Sequence, residues 1–401
     1  MRDQLGGPGE KLNAAIHMPA YPSLTALFLS FLKLGATAFG GPAMVPYIGK
    51  MAVEHRRWLD KETFRDGVAL CQTIPGATAM QVSAYVGFKV RGVTGAAVSF
   101  IGFGLPAFLL MVGLSAFYVR SQKLPSVVSV FNGLQTIVVA IVANATLSFG
   151  RTSLRSLRDG MIAVIAAVMF ALKVSPILVI LSAALSGLLF MGKNSTPELG
   201  DRPETDSRST KPLLIIASIT AFCLAVLFFS QRKLFDLAII MLRIDLFAFG
   251  GGFASVPLML HEIVEVRSWM DDRTFLDGIA LGQVTPGPIV ITATFVGYMV
   301  DGIIGSVVAT ISVFLPSFLI VIGIVPTLGR LRRSVYFAGV FGAILCSFVG
   351  LLLSVTLRFA SGIAWDIPRA LLAIAGFIAL LLRTEIVWLV VVGTVVSIIF
   401  L

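Results

Sequence analysis

Apolar residues run nearly the whole length of the chain from Ser23 onward. They are interrupted by short charged loops and by clusters of glycine and proline. Inside the apolar stretch Ser23–Ile48, the run "TAFGGPAMVP" (residues 37–46) puts Gly40, Gly41, Pro42 and Pro46 where a membrane helix would have its middle. Proline removes a backbone donor and glycine lowers helix stability, so the pattern predicts a break there. A near copy returns at residues 247–257 as "FAFGGGFASVP". Two further apolar stretches carry breakers of their own, at Pro75–Gly76 and at Pro286–Gly287.

The two halves align with a shift of 210 or 211 positions. "AFGG" at Ala38–Gly41 falls on Ala248–Gly251, Trp58 on Trp269, and "DKETFRDG" from Asp60 on "DDRTFLDG" from Asp271. "QTIPG" from Gln72 falls on "QVTPG" from Gln283, "VGFKVRG" from Val86 on "VGYMVDG" from Val296, and Pro106 on Pro316. Lys33 lands on Arg243. This is an internal duplication of the kind found in many secondary transporters. The pattern predicts an N-terminal tail (1–22), a first repeat (23–192), a polar cytoplasmic linker (193–212), a linking transmembrane helix (213–230) and a second repeat (231–401). The polar start predicts a short soluble lead-in rather than a cleavable leader.

Loop charge sets the orientation. Loop 50–65 carries Lys50, Arg56, Arg57, Lys61 and Arg65, whereas its twin 261–277 is dominated by Glu262, Glu265, Asp271, Asp272 and Asp277. Lys89 and Arg91 in the next turn face Asp301 in the copy. The positive-inside rule therefore predicts inverted repeats, with 213–230 as the crossing that flips the second copy. Loop 50–65 and turn 89–91 are both basic, yet a single apolar segment separates them. The preferred reading folds 23–49, 64–88, 234–259 and 275–299 as re-entrant helical hairpins and leaves nine full crossings. Thirteen crossings is the rival reading. The fold class is an all-α polytopic membrane protein with two inverted-topology repeats and broken, re-entrant hairpins.

Composition narrows the chemistry. The chain has 401 residues, 57% hydrophobic and 13% charged, with a net charge of +10. In an apolar chain with basic loops, that charge signals membrane orientation rather than nucleic-acid binding. Cys71, Cys223 and Cys346 lie in apolar segments and form no CxxC pair, and His17, His55 and His261 are scattered at segment ends, where they read as surface residues. No metal site, hydrolase motif or P-loop is present, so no enzyme activity and no cofactor are expected.

Irregular backbone at membrane depth must be buried in protein or line a cavity. Four breaks in two matching pairs would meet near the midplane and present helix N-termini, which attract anions. The candidate substrate-binding residues are Lys33, Thr37, Gly40, Gly41, Gln72, Pro75, Gly76 and Gln81 in the first copy. In the second they are Arg243, Gly250, Gly251, Gln283, Pro286 and Gly287. Snorkelling of Lys33 and Arg243 to an interface is an equal alternative. Asp245, two residues from Arg243, either neutralises it or carries a coupling proton. Asp60 and Asp271 read as helix N-caps with Thr three residues on.

These motifs resemble the chromate transporter family. The resemblance rests on "FLKLGATAFGGP", on "ALCQTIPGATAMQ" followed by "YVGFKVRG", and on "GLPAFLL"; the second copy adds "AFGGGFASVP", "ALGQVTPGPI" and "FLPSFL". It covers most of the chain and implies the long, two-domain type. It also implies export of chromate from the bacterial cytoplasm across the inner membrane, driven by membrane potential or protons, with sulfate as structural mimic. The first copy departs from the family's usual PGP, reading Pro75–Ala77, while Pro286–Pro288 keep it. Chromate or a related oxyanion and membrane lipid are the expected partners, with a homodimer as the assembly considered. An anion channel, or a transporter of another oxyanion such as sulfate, stands as the alternative.

Overall fold

The computed structural model describes residues 22–39, 44–122, 124–189, 211–324 and 335–400. Within these the chain is helical throughout and contains no strand. The expected tail up to residue 21 and most of the expected linker lie outside the described residues, as do Gly40, Gly41 and Pro42.

The first repeat begins with α1 (Leu24–Thr37), whose N-cap Ser23 accepts from the Ala26 amide. Next come α2 (Met44–Gly49, continued by Lys50–His55 in a wider winding) and α3 (Lys61–Cys71). They are followed by α4 (Thr78–Ser121), α5 (Pro125–Ser153), α6 (Leu157–Ala171) and α7 (Pro176–Leu189). The linking helix α8 is Lys211–Ser230. The second repeat has α9 (Arg232–Phe247), α10 (Ser255–Met259, continued by Leu260–Val266) and α11 (Asp272–Val284). It ends with α12 (Thr292–Ile324), α13 (Val335–Gly362), α14 (Ile367–Leu381) and α15 (Ile386–Phe400). Asp60 and Asp271 cap α3 and α11, each accepting an amide from the Thr three residues on at 2.8 Å. Among the described residues, five helices are long and apolar enough to cross a membrane, including α5, α8 and the body of α13. With the internal duplication, this makes the chain an all-α polytopic membrane protein.

Each break reverses the chain. Tyr85 Oη donates to the Thr63 carbonyl at 3.1 Å, although 22 residues of straight helix would hold them about 33 Å apart. α3 and the start of α4 are thus the two arms of a hairpin whose tip is 72–77. In the second repeat, Asp236 and Arg267 come within 3.7 Å across the break that separates α9 from α10. Phe31 stacks on Trp58 at 6.4 Å in the first copy. α4 itself folds back at Arg91–Gly92, where the backbone leaves helical geometry, and Ser99 Oγ donates to the Ser83 carbonyl at 2.7 Å. Asp301–Gly302 does the same in α12, with Ser306 Oγ on the Thr294 carbonyl at 3.0 Å. The long arms are therefore 93–121 and 303–324.

Arm 93–121, about 43 Å long, serves as a ruler. At its start, Arg91 Nε donates to the Pro22 carbonyl at 2.8 Å, beside the open ends of the first repeat's hairpins. Near its middle, Ala107 lies against Gly287, at the tip of a second-repeat hairpin. At its far end, Tyr118 Oη donates to Asp277 Oδ2 at 2.9 Å, on the first turns of α11. The two pairs of hairpins enter from opposite ends of one helix and meet at its centre. The later helices are exchanged between repeats: α13 packs on α6 and α7, while α14 and α15 pack on α5.

The exchange is unequal in one respect. Residues Ser255–Leu260 and Phe275–Gly282 of the second repeat are all buried, packed among α5, α7 and α13. Their counterparts are far more open. α2 buries Met44 and Ile48, and α3 buries Gly67, Leu70 and Cys71.

Candidate functional site

The breaks meet through two reciprocal backbone bonds. The Gly76 amide donates to the Ala248 carbonyl at 2.9 Å, and the Gly287 amide donates to the Ala38 carbonyl at 3.1 Å. Gly76 and Gly287 are equivalent under the duplication, as are Ala38 and Ala248, so one contact is made twice with the repeats exchanged. Both glycines have strongly positive φ, +112° and +121°, a region that L side chains rarely adopt. These two amides are already bonded and are not free for an anion. Gly250 and Gly251, at φ +94° and +99°, form the tip of the α9–α10 hairpin, and Thr78 reaches Gly251.

One of the two contacts is polar. Asp245, 1% exposed, accepts from the Ser317 amide on Oδ2 at 2.7 Å. Pro316 has no N–H and disturbs the α12 ladder beside it. Gln81, 0% exposed, donates through Nε2 to the Pro75 carbonyl and to Ser317 Oγ, the latter at 3.2 Å. Asp245 Oδ1 and Gln81 Oε1 are left buried without a hydrogen-bond partner. A Cβ on Gly76 would stand 1.8 Å from Ser317 Oγ and 2.8 Å from Asp245 Oδ1. In the other contact the duplication puts Gly35 opposite Asp245, Ala107 opposite Ser317 and Ile291 opposite Gln81. That contact has no ionisable group.

The paired cations lie elsewhere. Arg243 is half-exposed and pairs with Glu262 at 3.6 Å. Two residues turn a helix by about 200°, so Arg243 and Asp245 face opposite sides of α9. The expected neutralisation of Arg243 by Asp245 is corrected on that ground. Lys33 is exposed on α1 and makes no ion pair among the described residues. Thr37, one turn on, bonds back to the Lys33 carbonyl at 2.9 Å, and Gln72 is exposed at the end of α3. In the second repeat Pro286 is buried, and Gln283 Nε2 is a buried donor with no acceptor. Gly40 and Gly41 lie outside the described residues.

A second polar network, which sequence reasoning missed, closes the end where the second repeat's hairpins open. Asp277, 4% exposed, accepts from Tyr118 Oη at 2.9 Å and from Gln135 Nε2 at 2.7 Å. Arg273 donates to Asn132 Oδ1 at 2.9 Å. Arg358 bonds Asp272 at 2.8 Å and also Glu265, which holds His261 Nδ1 at 2.6 Å. Three expectations are corrected here. His261 is buried rather than a surface residue, and Glu265 and Asp277 are paired helix residues rather than free loop charges. His261 and Glu265 stand at i,i+4, a helical spacing that the sequence could have shown, but the partners Arg358 and Tyr118 are too distant for spacing to reveal; Tyr118 and Asp277 stand 159 positions apart.

Chemically, the centre combines a buried orphan donor, a buried carboxylate, neutral amide and hydroxyl groups, and helix ends from four hairpins. Among the described residues it brings no nucleophile and base together.

The family description "Chromate transporter" matches residues 25–188 and again 235–398. A protein of Methanocaldococcus jannaschii named "Uncharacterized transporter MJ0718" is 45% identical over 362 residues, covering 90% of each chain. The "Chromate transport protein" of Cupriavidus metallidurans is 28% identical over 380 residues, covering 94% of this chain and 92% of that one. The "Probable chromate transport protein" of Synechococcus elongatus is 32% identical over 307 residues, 76% of each. No solved structure matches the chain. The duplicated match places both hairpin pairs inside family repeats, and the chain belongs to the chromate transporter family.

Proposed function

We propose that this chain is a secondary active transporter that exports chromate, or a sulfate-like tetrahedral oxyanion, by alternating access. It works in the plasma membrane, the inner membrane of a bacterial cell. The observation that carries the reading is the reciprocal bond between Gly76 and Ala248 and between Gly287 and Ala38, made by hairpins that enter from opposite ends. Discontinuous helices meeting at mid-depth between inverted repeats form the substrate site of many secondary transporters. Relatives named as chromate transport proteins support the choice of cargo.

The uneven packing supports alternating access. The second repeat's hairpins are closed in by α5, α7 and α13, and those of the first repeat are exposed. The basic loop 50–65 assigns the exposed side to the cytoplasm. The described conformation is then open inward, as an exporter is when it loads. Nine segments cross: arms 93–121 and 303–324, and helices α5, α6, α7, α8, α13, α14 and α15. Segments 23–192 and 231–401 are the two transport repeats. The helices of 14 or 15 residues reach only about 22 Å and cross where the bilayer is drawn thin.

The oxyanion sits at the hairpin tips. Gln283 Nε2, the uncapped start of α4 at Thr78 and the tip Gly250–Gly251 supply its donors, while Pro75–Gly76 and Pro286–Gly287, whose amides are bonded or absent, shape the site. Gln72, Thr37 and Lys33 line the approach from the open side. Gln81 and Asp245 serve coupling, and Arg243 balances Lys33 across the duplication. Two copies assemble as a homodimer.

Everted vesicles carrying the chain should accumulate labelled chromate or sulfate above the external concentration when energised. Lys33→Ala should lower uptake about tenfold, the loss of roughly 1.4 kcal/mol of charge-assisted binding; Arg243→Ala should do less. Equilibration without accumulation would identify a channel. No uptake of either anion would remove the cargo assignment.

A further inference from the structure

We infer that Asp245, Gln81 and Ser317 bind one small monovalent cation, a proton or a sodium ion, in the contact between the two repeats. A buried carboxylate at membrane depth is costly unless it is paired, protonated or bound to a cation. Asp245 is 1% exposed, and no Lys, Arg or His pairs with it among the described residues. On its own helix, Arg243 turns away to Glu262, and Asp236 pairs with Arg232 and Arg267 near the open end. The other elements against it are the tip 72–77, the arm from Thr78 and the helix carrying Ser317. Their charged groups are Lys89, Arg91 and Asp301, at the turns at the opposite ends of the arms.

Two buried oxygens here, Asp245 Oδ1 and Gln81 Oε1, have no donor. A proton on the carboxyl gives Asp245 a donor of its own; a sodium ion takes Asp245 Oδ1 and, with the Gln81 carboxamide turned so that Oε1 stands where Nε2 now meets Ser317 Oγ and the Pro75 carbonyl, a second oxygen as ligand. Either cation satisfies an oxygen-only set. The other contact, with Gly35, Ala107 and Ile291 at the matching positions, cannot do this. The protein therefore binds one such ion, not two. The binding claim stands on these groups alone; that this ion drives the cargo rests on the transport reading.

The test is thermal unfolding of the purified full chain in detergent without any oxyanion, because a ligand bound only by the folded state raises the melting temperature saturably. Sodium is varied against choline at fixed pH, and pH at fixed sodium. A rise with sodium names sodium; a rise as pH falls names the proton. Asp245→Asn should abolish that response, and Gln81→Ala should shift it about tenfold toward higher cation concentration or activity, the loss of one ligand worth about 1.4 kcal/mol. If Asp245→Asn keeps the parent's full response, or the parent has none, the site is refuted. A cation response that persists in a protein unable to carry chromate or sulfate would leave the site standing and sink the transport reading.

Discussion

Gly76 is the residue at which the proposed mechanism is most exposed to test. An alanine there would need φ +112° and would drive its Cβ to 1.8 Å from Ser317 Oγ. Strain of about 1–3 kcal/mol adds to overpacking of similar size, within a contact that joins the repeats. Gly76→Ala should therefore cut the initial rate of chromate uptake into everted vesicles at least tenfold per unit of inserted protein. Gly92→Ala is the matched control. Its φ is also positive, at +65°, but nothing lies within 4 Å of the added Cβ, so it should lose only about 1–2 kcal/mol of stability and keep its uptake. Equal rates for Gly76→Ala and the parent would show that the tip contact is dispensable. The importance of Gly76 was legible from a proline–glycine pair repeated at a fixed shift. That of Ser317 was not, because "FLPSFL" reads as an ordinary kinked helix and its partner Asp245 is 72 positions away. Asp277 was misread for a related reason: it follows an exposed cap, and nothing local reveals that Tyr118 and Gln135 come to meet it.

At the level of elements, hydropathy alone does not separate a crossing from a hairpin, since both are apolar along their length. What made the hairpins legible was the conflict between two basic loops on either side of one segment. The bond from Tyr85 to Thr63 and the pair Asp236–Arg267 are the physical form of that inference. The fold-back at Arg91–Gly92 brings Ser99 onto Ser83 and completes a three-armed unit that the other repeat copies. Single cysteines replacing Asp60 and Lys89, in a chain with Cys71, Cys223 and Cys346 changed to serine, should react with an impermeant maleimide from the same side. Replacements at Asp271 and Asp301 should react from the other side. Labelling of the Asp60 and Lys89 positions from opposite faces would require α3 and 78–90 to be one broken crossing and would end the hairpin assignment.

For the whole molecule, the duplication gives two equal ends but the side chains make them unequal. The end closed by the second repeat has Asp277 between Tyr118 and Gln135, and Arg358 between Glu265 and Asp272. The same shifts place Ser148 opposite Arg358, Glu62 opposite Arg273 and Asp66 opposite Asp277, and Asp66 is mostly exposed, with its neighbour Arg65 nearest at 3.9 Å. The hairpins of α11 and α10 are thereby tied to α5 and α13 on one side, while among the described residues no comparable network of ion pairs ties α2 and α3 on the other. In the proposed alternating-access cycle these ties break when the chain opens outward, and on that proposal their strength sets the balance between the two states. Removing one partner of a largely buried ion pair leaves the other unpaired, at a cost of up to 3–5 kcal/mol for full burial and less here, because Arg358 is 31% exposed. Arg358→Ala leaves Glu265, which is 8% exposed, with His261 as its remaining partner and takes both Arg358 bonds from Asp272, only when the end is closed, and so favours the open end. Leu276, at 4% exposure, lines the cavity of about 810 Å³ beside this network. In a Leu276→Cys background, Arg358→Ala should raise the rate of labelling by an impermeant thiol reagent about tenfold from that side alone, because about 1.4 kcal/mol of shift multiplies the open population by that factor. Unchanged labelling, with the protein folded, would mean that the network fastens the fold and has no part in gating.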